Sequence, residues 1–348
     1  MLNALTAVYR EERAEAQATF YSPILRCLAA ARILLFPNII ARFSSLNLTE
    51  KLYHPTRNND PLYFIVRHYY ISRQFTLRQR VDVAMNHHEY ELQAYTADYA
   101  RQVYRSDGIL LWERSVDNHH FNIVLTAIPG NRHEGDLTVI LSVNNISLCG
   151  MSFCYLNANI FGQPSGMTML ISKNQTALNS FRELFDQCFK QNTPQLFCLS
   201  AACGIAVANG FNTMLGIKHD AQIAYKEPLE SGFRNSYTTF WEKFDAVEID
   251  GNVYMLKVPL KLRPVDLVNP VHRRRARARR RYWDEIVHST QASMVKYRTL
   301  SGSDPTFAAA SRTRVAFNGD QFSSDKDVIG LGVGLTATPP VSSRQLVC

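Results

Sequence analysis

Missing from this 348-residue sequence is any strongly apolar run of the roughly 20 residues that a membrane-spanning helix needs. Nothing at its start reads as a secretory leader, because Arg10, Glu11, Glu12, Arg13 and Glu15 fall where such a leader turns apolar. Cysteine is sparse and odd in number. Seven at irregular spacing exclude a disulfide scaffold and point to free thiols in a reduced, cytoplasmic compartment. The pairs Cys149/Cys154 and Cys198/Cys203 stand five residues apart, which turns the two side chains away from each other on a strand or a helix. No nearby histidine completes a zinc set, so no metal site is expected. Net positive charge is scarce outside one block. Arg273, Arg274, Arg275, Arg277, Arg279, Arg280 and Arg281 supply seven of the net +8, leaving a near-neutral remainder. This excludes a protein that is basic throughout. Gly330-Leu331-Gly332-Val333-Gly334 imitates a dinucleotide fingerprint, but too little chain follows for the helix and strand that such a site requires.

What is present is organised around Met167–Tyr225, read as strand, two helices and strand. From Lys190 to Lys218 nothing is ionisable except Cys198 and Cys203. Leu196, Phe197, Leu199, Ala201, Ala202 and Ile205 to Ala208 cover nearly every face of a helix, which makes it a core helix. Pro194 suits its first turn, and Gly210 suits its end. Phe211 to Ile217 then reads as a strand that delivers Lys218, His219 and Asp220.

Before this segment, Ile24–Phe43 mixes apolar runs with Arg26, Arg32 and Arg42; it reads as a helix packed on its own domain or lying in a membrane interface. His54–Tyr63 is a loop by composition. Phe64–His88 reads as a helix with Thr76 as an N-cap and His87-His88 at its end. From Ile109 the period becomes extended. Ile109–Arg114, Phe121–Ile128, Leu137–Val143, Ile146–Leu156 and Met167–Ser172 read as five strands, with a tight turn at Asn144-Asn145 and a bulge at Gly150. Gln175–Gln191 reads as the helix that follows them.

Beyond the core segment, Tyr237, Phe240, Trp241 and Phe244 form an aromatic stripe suited to core packing. Asp250-Gly251 marks a hairpin between Ala246–Ile249 and Asn252–Val258. Pro264–Arg298 is a helix in which arginines at odd and even offsets leave the basic turn little to bury. After Leu300 serine, glycine, threonine and alanine dominate, and a flexible tail is expected.

Candidate chemistry collects at two strand ends. His219 could act as a general base oriented by a carboxylate from elsewhere, with Asp220 beside it. Lys173, Asn174 and Gln175 end the other central strand. Gln175 could donate to a carbonyl or phosphate, or cap a helix. Lys218 and the seven arginines are candidate binding groups. Their block could meet phosphate on anionic lipid or nucleic acid, dock an acidic protein, or be a solvated helix face.

The LISKNQ segment ending at Gln175, Thr193-Pro194-Gln195, GIKHDAQIAY from Gly216 to Tyr225, Phe240-Trp241-Glu242 and Val258-Pro259 together resemble the VirK/YbjX family of enterobacterial proteins, over roughly residues 53–298. That resemblance implies a stress- or virulence-associated role in envelope defence and tolerance of antimicrobial peptides, with no cofactor specified. The order of elements is also similar to the acyltransferase fold of the acetyltransferase kind, and FWEKFDAVEIDGNVYMLK looks like its closing helix and hairpin. Such enzymes cradle a coenzyme pyrophosphate in a glycine-rich turn. Here the turn is Lys173-Asn174-Gln175-Thr176-Ala177, without glycine. The expected fold is therefore α+β: an N-terminal helical region (1–100), an acyltransferase-like antiparallel sheet with two core helices (101–263), a basic helix (264–300) and a tail (301–348). The protein is expected in the cytoplasm or at the inner face of a membrane. Its function reads as family-type defence, as acyl transfer centred on Gln175, His219 and Asp220, or as a basic binding module.

Overall fold

The computed structural model describes residues 69–127, 132–176 and 181–299, apart from 261, 263 and 268, together with the isolated positions 31, 37 and 41. The loop expected at 54–63, most of the helix expected at 24–43 and the tail after Leu300 lie outside the described residues.

Helix α1 (Leu77–Ala94) starts where the sequence places it. The Thr76 hydroxyl accepts the Gln79 N–H, and the Gln79 side chain accepts the Thr76 N–H, a reciprocal cap. Residues 69–75, just before Thr76, are not helical, and the helix runs past His88 to Ala94. His87 and His88 are therefore not a helix end. Both are fully buried inside α1, which places them against the sheet. Helix α2 (Ala97–Arg105) follows.

All five expected strands are present: β1 (Ile109–Val116), β2 (His119–Thr126), β3 (Leu137–Val143), β4 (Ile146–Asn157) and β5 (Met167–Thr176). Each pairs antiparallel with the next. Asn144 and Asn145 have φ of 50° and 66°, the mirror-image turn that the twist of a hairpin favours. Asp117 and Asn118 (48° and 63°) close β1 onto β2 in the same way. The expected bulge is displaced: Gly150 pairs regularly with Ile140, and the additional residue is Leu148, between the pairs Leu141↔Cys149 and Ser142↔Ser147.

Gln175 lies in β5 opposite Gly150, and the next helix, α3 (Phe181–Cys188), begins later than the sequence suggests. The pairing of β5 with β4 carries Gln175 in an extended ladder, which removes it as a helix cap. The core helix α4 (Pro194–Ala208) is buried from Leu196 through Ala206. Six consecutive buried residues of β4, Met151 to Leu156, show that both faces of that strand are covered. The helices α1 and α4 both contact it.

Strand β6 (Thr213–Ile217) joins β5 in the sheet's one parallel pairing. Then come α5 (Glu230–Ser236), α6 (Thr238–Glu242), β7 (Val247–Ile249), β8 (Val253–Lys257) and α7 (Pro270–Val295). The aromatic stripe is core, as read: Tyr237, Phe240, Trp241 and Phe244 are all buried. The sheet order is β1-β2-β3-β4-β5-β6-β8-β7, so the protein is α+β with an eight-stranded, mostly antiparallel sheet.

The basic helix buries more than its sequence suggests. Ala276, Arg280 and Trp283 face inward at helical spacing, and the Trp283 indole N–H donates to Asn192 Oδ1 at 2.9 Å. Burial, and then the neighbouring Arg279 charge, push the Arg280 guanidinium down to about 10. At Gly204 the α4 backbone is so close to α7 that an added Cβ would lie 2.6 Å from Thr290 Cβ and 2.8 Å from the Val287 carbonyl oxygen. Glu285 ties α7 to β1, accepting from the Trp112 indole at 2.9 Å and from Arg114 at 2.7 Å. Arg114 also lies over the Tyr282 ring. Two-sided packing of this kind explains how a helix with seven arginines still belongs to the body of the protein.

Candidate functional site

The parallel pair β5–β6 is short: Met169↔Met214, Leu170↔Leu215 and Ile171↔Gly216. Past Ile171 the strands part. Ser172 is an extra residue in β5, because Ser152 pairs with Lys173 while Phe153 pairs with Ile171. A bulge leaves its extra residue unpaired and bends the strand, here away from β6, while Lys173 to Thr176 stay paired with β4. On the other side β6 ends at Ile217, and the chain enters a single tight turn at His219–Ala221. His219 and Asp220 thus sit in a helical turn, not on a strand as the sequence suggested.

The break between α5 and α6, Ser236-Tyr237-Thr238, spans this parting. Asn174 donates its backbone N–H to the Tyr237 hydroxyl at 3.3 Å and its side-chain amide to the Ser236 carbonyl at 3.0 Å. His219 Nδ1 lies 2.7 Å from Thr238 Oγ1. Asn174 and His219, both singled out from sequence, are therefore joined through three consecutive residues. His219 Nε2 faces Glu230 Oε1 at 3.9 Å, beyond hydrogen-bond range. Burial, as the leading cause, pushes the Tyr237 phenol well up, so it remains a proton donor across the working pH range. Two polar oxygens here are buried without a hydrogen-bond partner: Asn174 Oδ1 and Asp220 Oδ1. An orphaned polar atom costs free energy, so these two weaken the packing at the strand ends.

The other candidates are dispersed. Lys173 pairs with Glu134, whose carbonyl also accepts from the Ser172 hydroxyl. Lys218 bonds Glu248 at 2.7 Å, an interaction that raises its ammonium and lowers the Glu248 carboxyl. Both partners are partly exposed, so this pair adds little stability. Gln175 is exposed. Of the arginines, Arg274, Arg275, Arg277 and Arg281 are exposed and Arg280 is buried; the helix that carries them packs on α4 and β1. Sequence reasoning placed Tyr237 only in a core stripe and missed Thr238 altogether. Their roles come from the break in the helix, which no spacing announces.

A second polar cluster lies in the core under α1. Glu91 accepts from the hydroxyls of Tyr99 at 2.9 Å and Tyr104 at 2.6 Å, and lies 3.2 Å from His87 Nε2. The ligand atoms of His87, His88 and Glu91 lie within 4.8 Å of one another, close enough to ask whether they suit a metal ion. However, the Tyr155 backbone N–H points at His87 Nδ1 at 3.2 Å. In the neutral ring the hydrogen must then sit on Nε2, the atom that a metal would need. The set fits a buried carboxylate held by two hydroxyls and an imidazole N–H.

A model of a family described as a protein of unknown function, DUF535, matches residues 26–292. The chain belongs to the DUF535 family. This is the VirK/YbjX family whose motifs the sequence carries. No curated protein and no solved structure matches the chain. The DUF535 match takes in the whole sheet, the parting of β5 and β6, and most of α7. No described helix is long and apolar enough to cross a membrane.

Proposed function

We propose that this DUF535 protein transfers an acyl group at the parting of β5 and β6, and that this activity serves envelope defence and tolerance of antimicrobial peptides. One observation carries the reading. The sheet has a single parallel pair at its centre; this pair separates after three residues, and the freed Asn174 N–H is met by a phenol rather than by a strand. The order of strands and the closing hairpin resemble those of the acyltransferase-type fold, in which the donor lies between the separated strands. Fold likeness alone does not deliver chemistry. The local groups do suit it: the Tyr237 hydroxyl, positioned by the Asn174 N–H, can donate to a developing oxyanion, and His219 can accept the proton of an attacking amine. In that reaction the amine nitrogen bonds to the carbonyl carbon while His219 takes its proton, the bond to the donor's leaving group breaks, and the His219 imidazolium returns that proton to the leaving group. The sequence from Lys173 to Ala177 lacks the glycines of a standard coenzyme cradle, and its first four residues belong to β5, so the donor is held in another way. The role in defence rests on the family resemblance.

The test is release of free thiol from an acyl thioester in the presence of a lysine-containing peptide, with the product weighed by mass spectrometry. The native protein is expected to show acceptor-dependent release. Tyr237→Phe and His219→Ala are each expected to lower kcat by roughly 10²–10³ while the protein stays folded. A folded native protein that releases no thiol from short- or long-chain donors would sink the proposal, as would variants with unchanged rates.

A further inference from the structure

We infer that the N-terminal end of α7 is a docking surface for anionic lipid. The two most exposed large apolar side chains among the described residues are Val271, 76% exposed, and Leu267, 61% exposed. They lie on either side of the start of α7, immediately before the exposed arginines. Val271, Arg274, Arg275, Ala278 and Arg281 follow one another at helical spacing and are all exposed, forming one outward stripe. The inward stripe of the same helix is spent on packing, through Ala276, Arg280, Trp283, Ile286 and Val287. The Val265–Leu267 turn is held to the helix by Arg273, which donates to the Asp266 carbonyl at 2.6 Å, with Arg277 3.9 Å from the Asp266 carboxylate. The apolar tip is thus fixed relative to the charged stripe. Arg274 and Arg275 have no acidic partner among the described residues.

Arginines alone would suit any polyanion. Two exposed aliphatic tips beside them suit only a surface that offers phosphate at one depth and hydrocarbon just beneath it. A headgroup layer does so, and arginine stems can lie along the boundary while their charged ends stay in water. Nucleic acid offers phosphate but nowhere to bury Val271 and Leu267. Each basic residue near an anionic leaflet strengthens binding by roughly a factor of five. Four exposed arginines with two apolar anchors give a peripheral, salt-sensitive attachment, and no spanning segment is needed.

The test is sedimentation of the full-length protein with phosphatidylcholine vesicles, with and without phosphatidylglycerol, at low and high salt. Binding is expected only with phosphatidylglycerol, and it should weaken as salt rises. Changing Arg274, Arg275, Arg277 and Arg281 to Gln is expected to lower affinity by a hundredfold or more. Leu267→Gln with Val271→Gln is expected to lower it several-fold at unchanged charge. All six side chains are exposed, so circular dichroism should show native folding for both variants. The inference is overturned if the native protein stays in the supernatant, or if the arginine variant still pellets. It is overturned equally if the apolar variant binds vesicles as the native chain does, or if the native protein shifts duplex DNA at concentrations below those needed for vesicles.

Discussion

Glu91→Ala is expected to destabilise the fold by about 3–5 kcal/mol, the cost of breaking a buried hydrogen-bonded charge cluster by removing one member. The substitution strands the Tyr99 and Tyr104 hydroxyls and the His87 ring in a space closed to water. Urea unfolding followed by tryptophan fluorescence measures it. The same carboxylate sets a pH dependence. Burial taken alone would raise its pKa, but His87, then His88 and the Tyr104 hydroxyl, outweigh burial and hold it below the ordinary glutamate value of 4.5. A folded-state value below the unfolded one means that the native state holds its proton less tightly. The contribution is therefore complete above 4.5 and is lost as pH falls through the lower, folded value. Glu91→Gln should flatten this acid limb relative to the native protein. An acid limb as steep in Glu91→Gln as in the native protein would show that other groups cause it.

Gly216→Val is expected to cost about 3 kcal/mol, at the upper end of what overpacking a closed core costs. A Cβ on Gly216 would run into the five-membered ring of Trp241, coming within 2.6 Å of Cδ2 and 2.8 Å of Nε1. The indole cannot yield, because it is fully buried and its N–H donates to the Ile217 carbonyl at 2.9 Å. On the strand itself Gly216 pairs with Ile171 and Tyr254, so the backbone is held from both sides. For a domain of this size the loss lowers the melting temperature by roughly 6–12 °C. The consequence reaches the candidate site, since Trp241 stands one turn from Thr238 and Tyr237. A melting temperature within 2 °C or so of the native value would mean that α6 can withdraw from the sheet, contrary to the packing seen here.

Much of this architecture was readable one element at a time. Alternation of apolar residues marked β1 to β5, Asn144-Asn145 and Asp250-Gly251 marked hairpins, and the uncharged run after Pro194 marked α4. These are local signals, in which a residue's neighbours in sequence are also its neighbours in space. The failures share the opposite character. Gln175 looked like the start of a helix because nothing near it in sequence reveals that β4 continues to pair with it. His87 and His88 looked like a polar helix end because what encloses them and Glu91, Tyr155 on β4 and two tyrosines from α2, comes from other elements. Arg280 looked solvated because the sequence of α7 does not show that its other face rests on α4.

The candidate site divides along the same line. That the candidate polar groups lie at the ends of β5 and β6 followed from sequence alone, since apolar strands there run into Lys173-Asn174-Gln175 and Lys218-His219-Asp220. Which of those six residues meet was decided by the tertiary structure. A bulge at Ser172 and a helix break at Tyr237 bring Asn174 and His219 to one segment, while glutamates at 134 and 248 draw the two lysines aside. Composition, hydrophobic period and turn residues act over a few positions, so the sequence determined the elements, the core helix and the basic block. Contacts between residues more than sixty positions apart, such as Asn174 with Tyr237, depend on how those elements pack, and only the folded chain settles them.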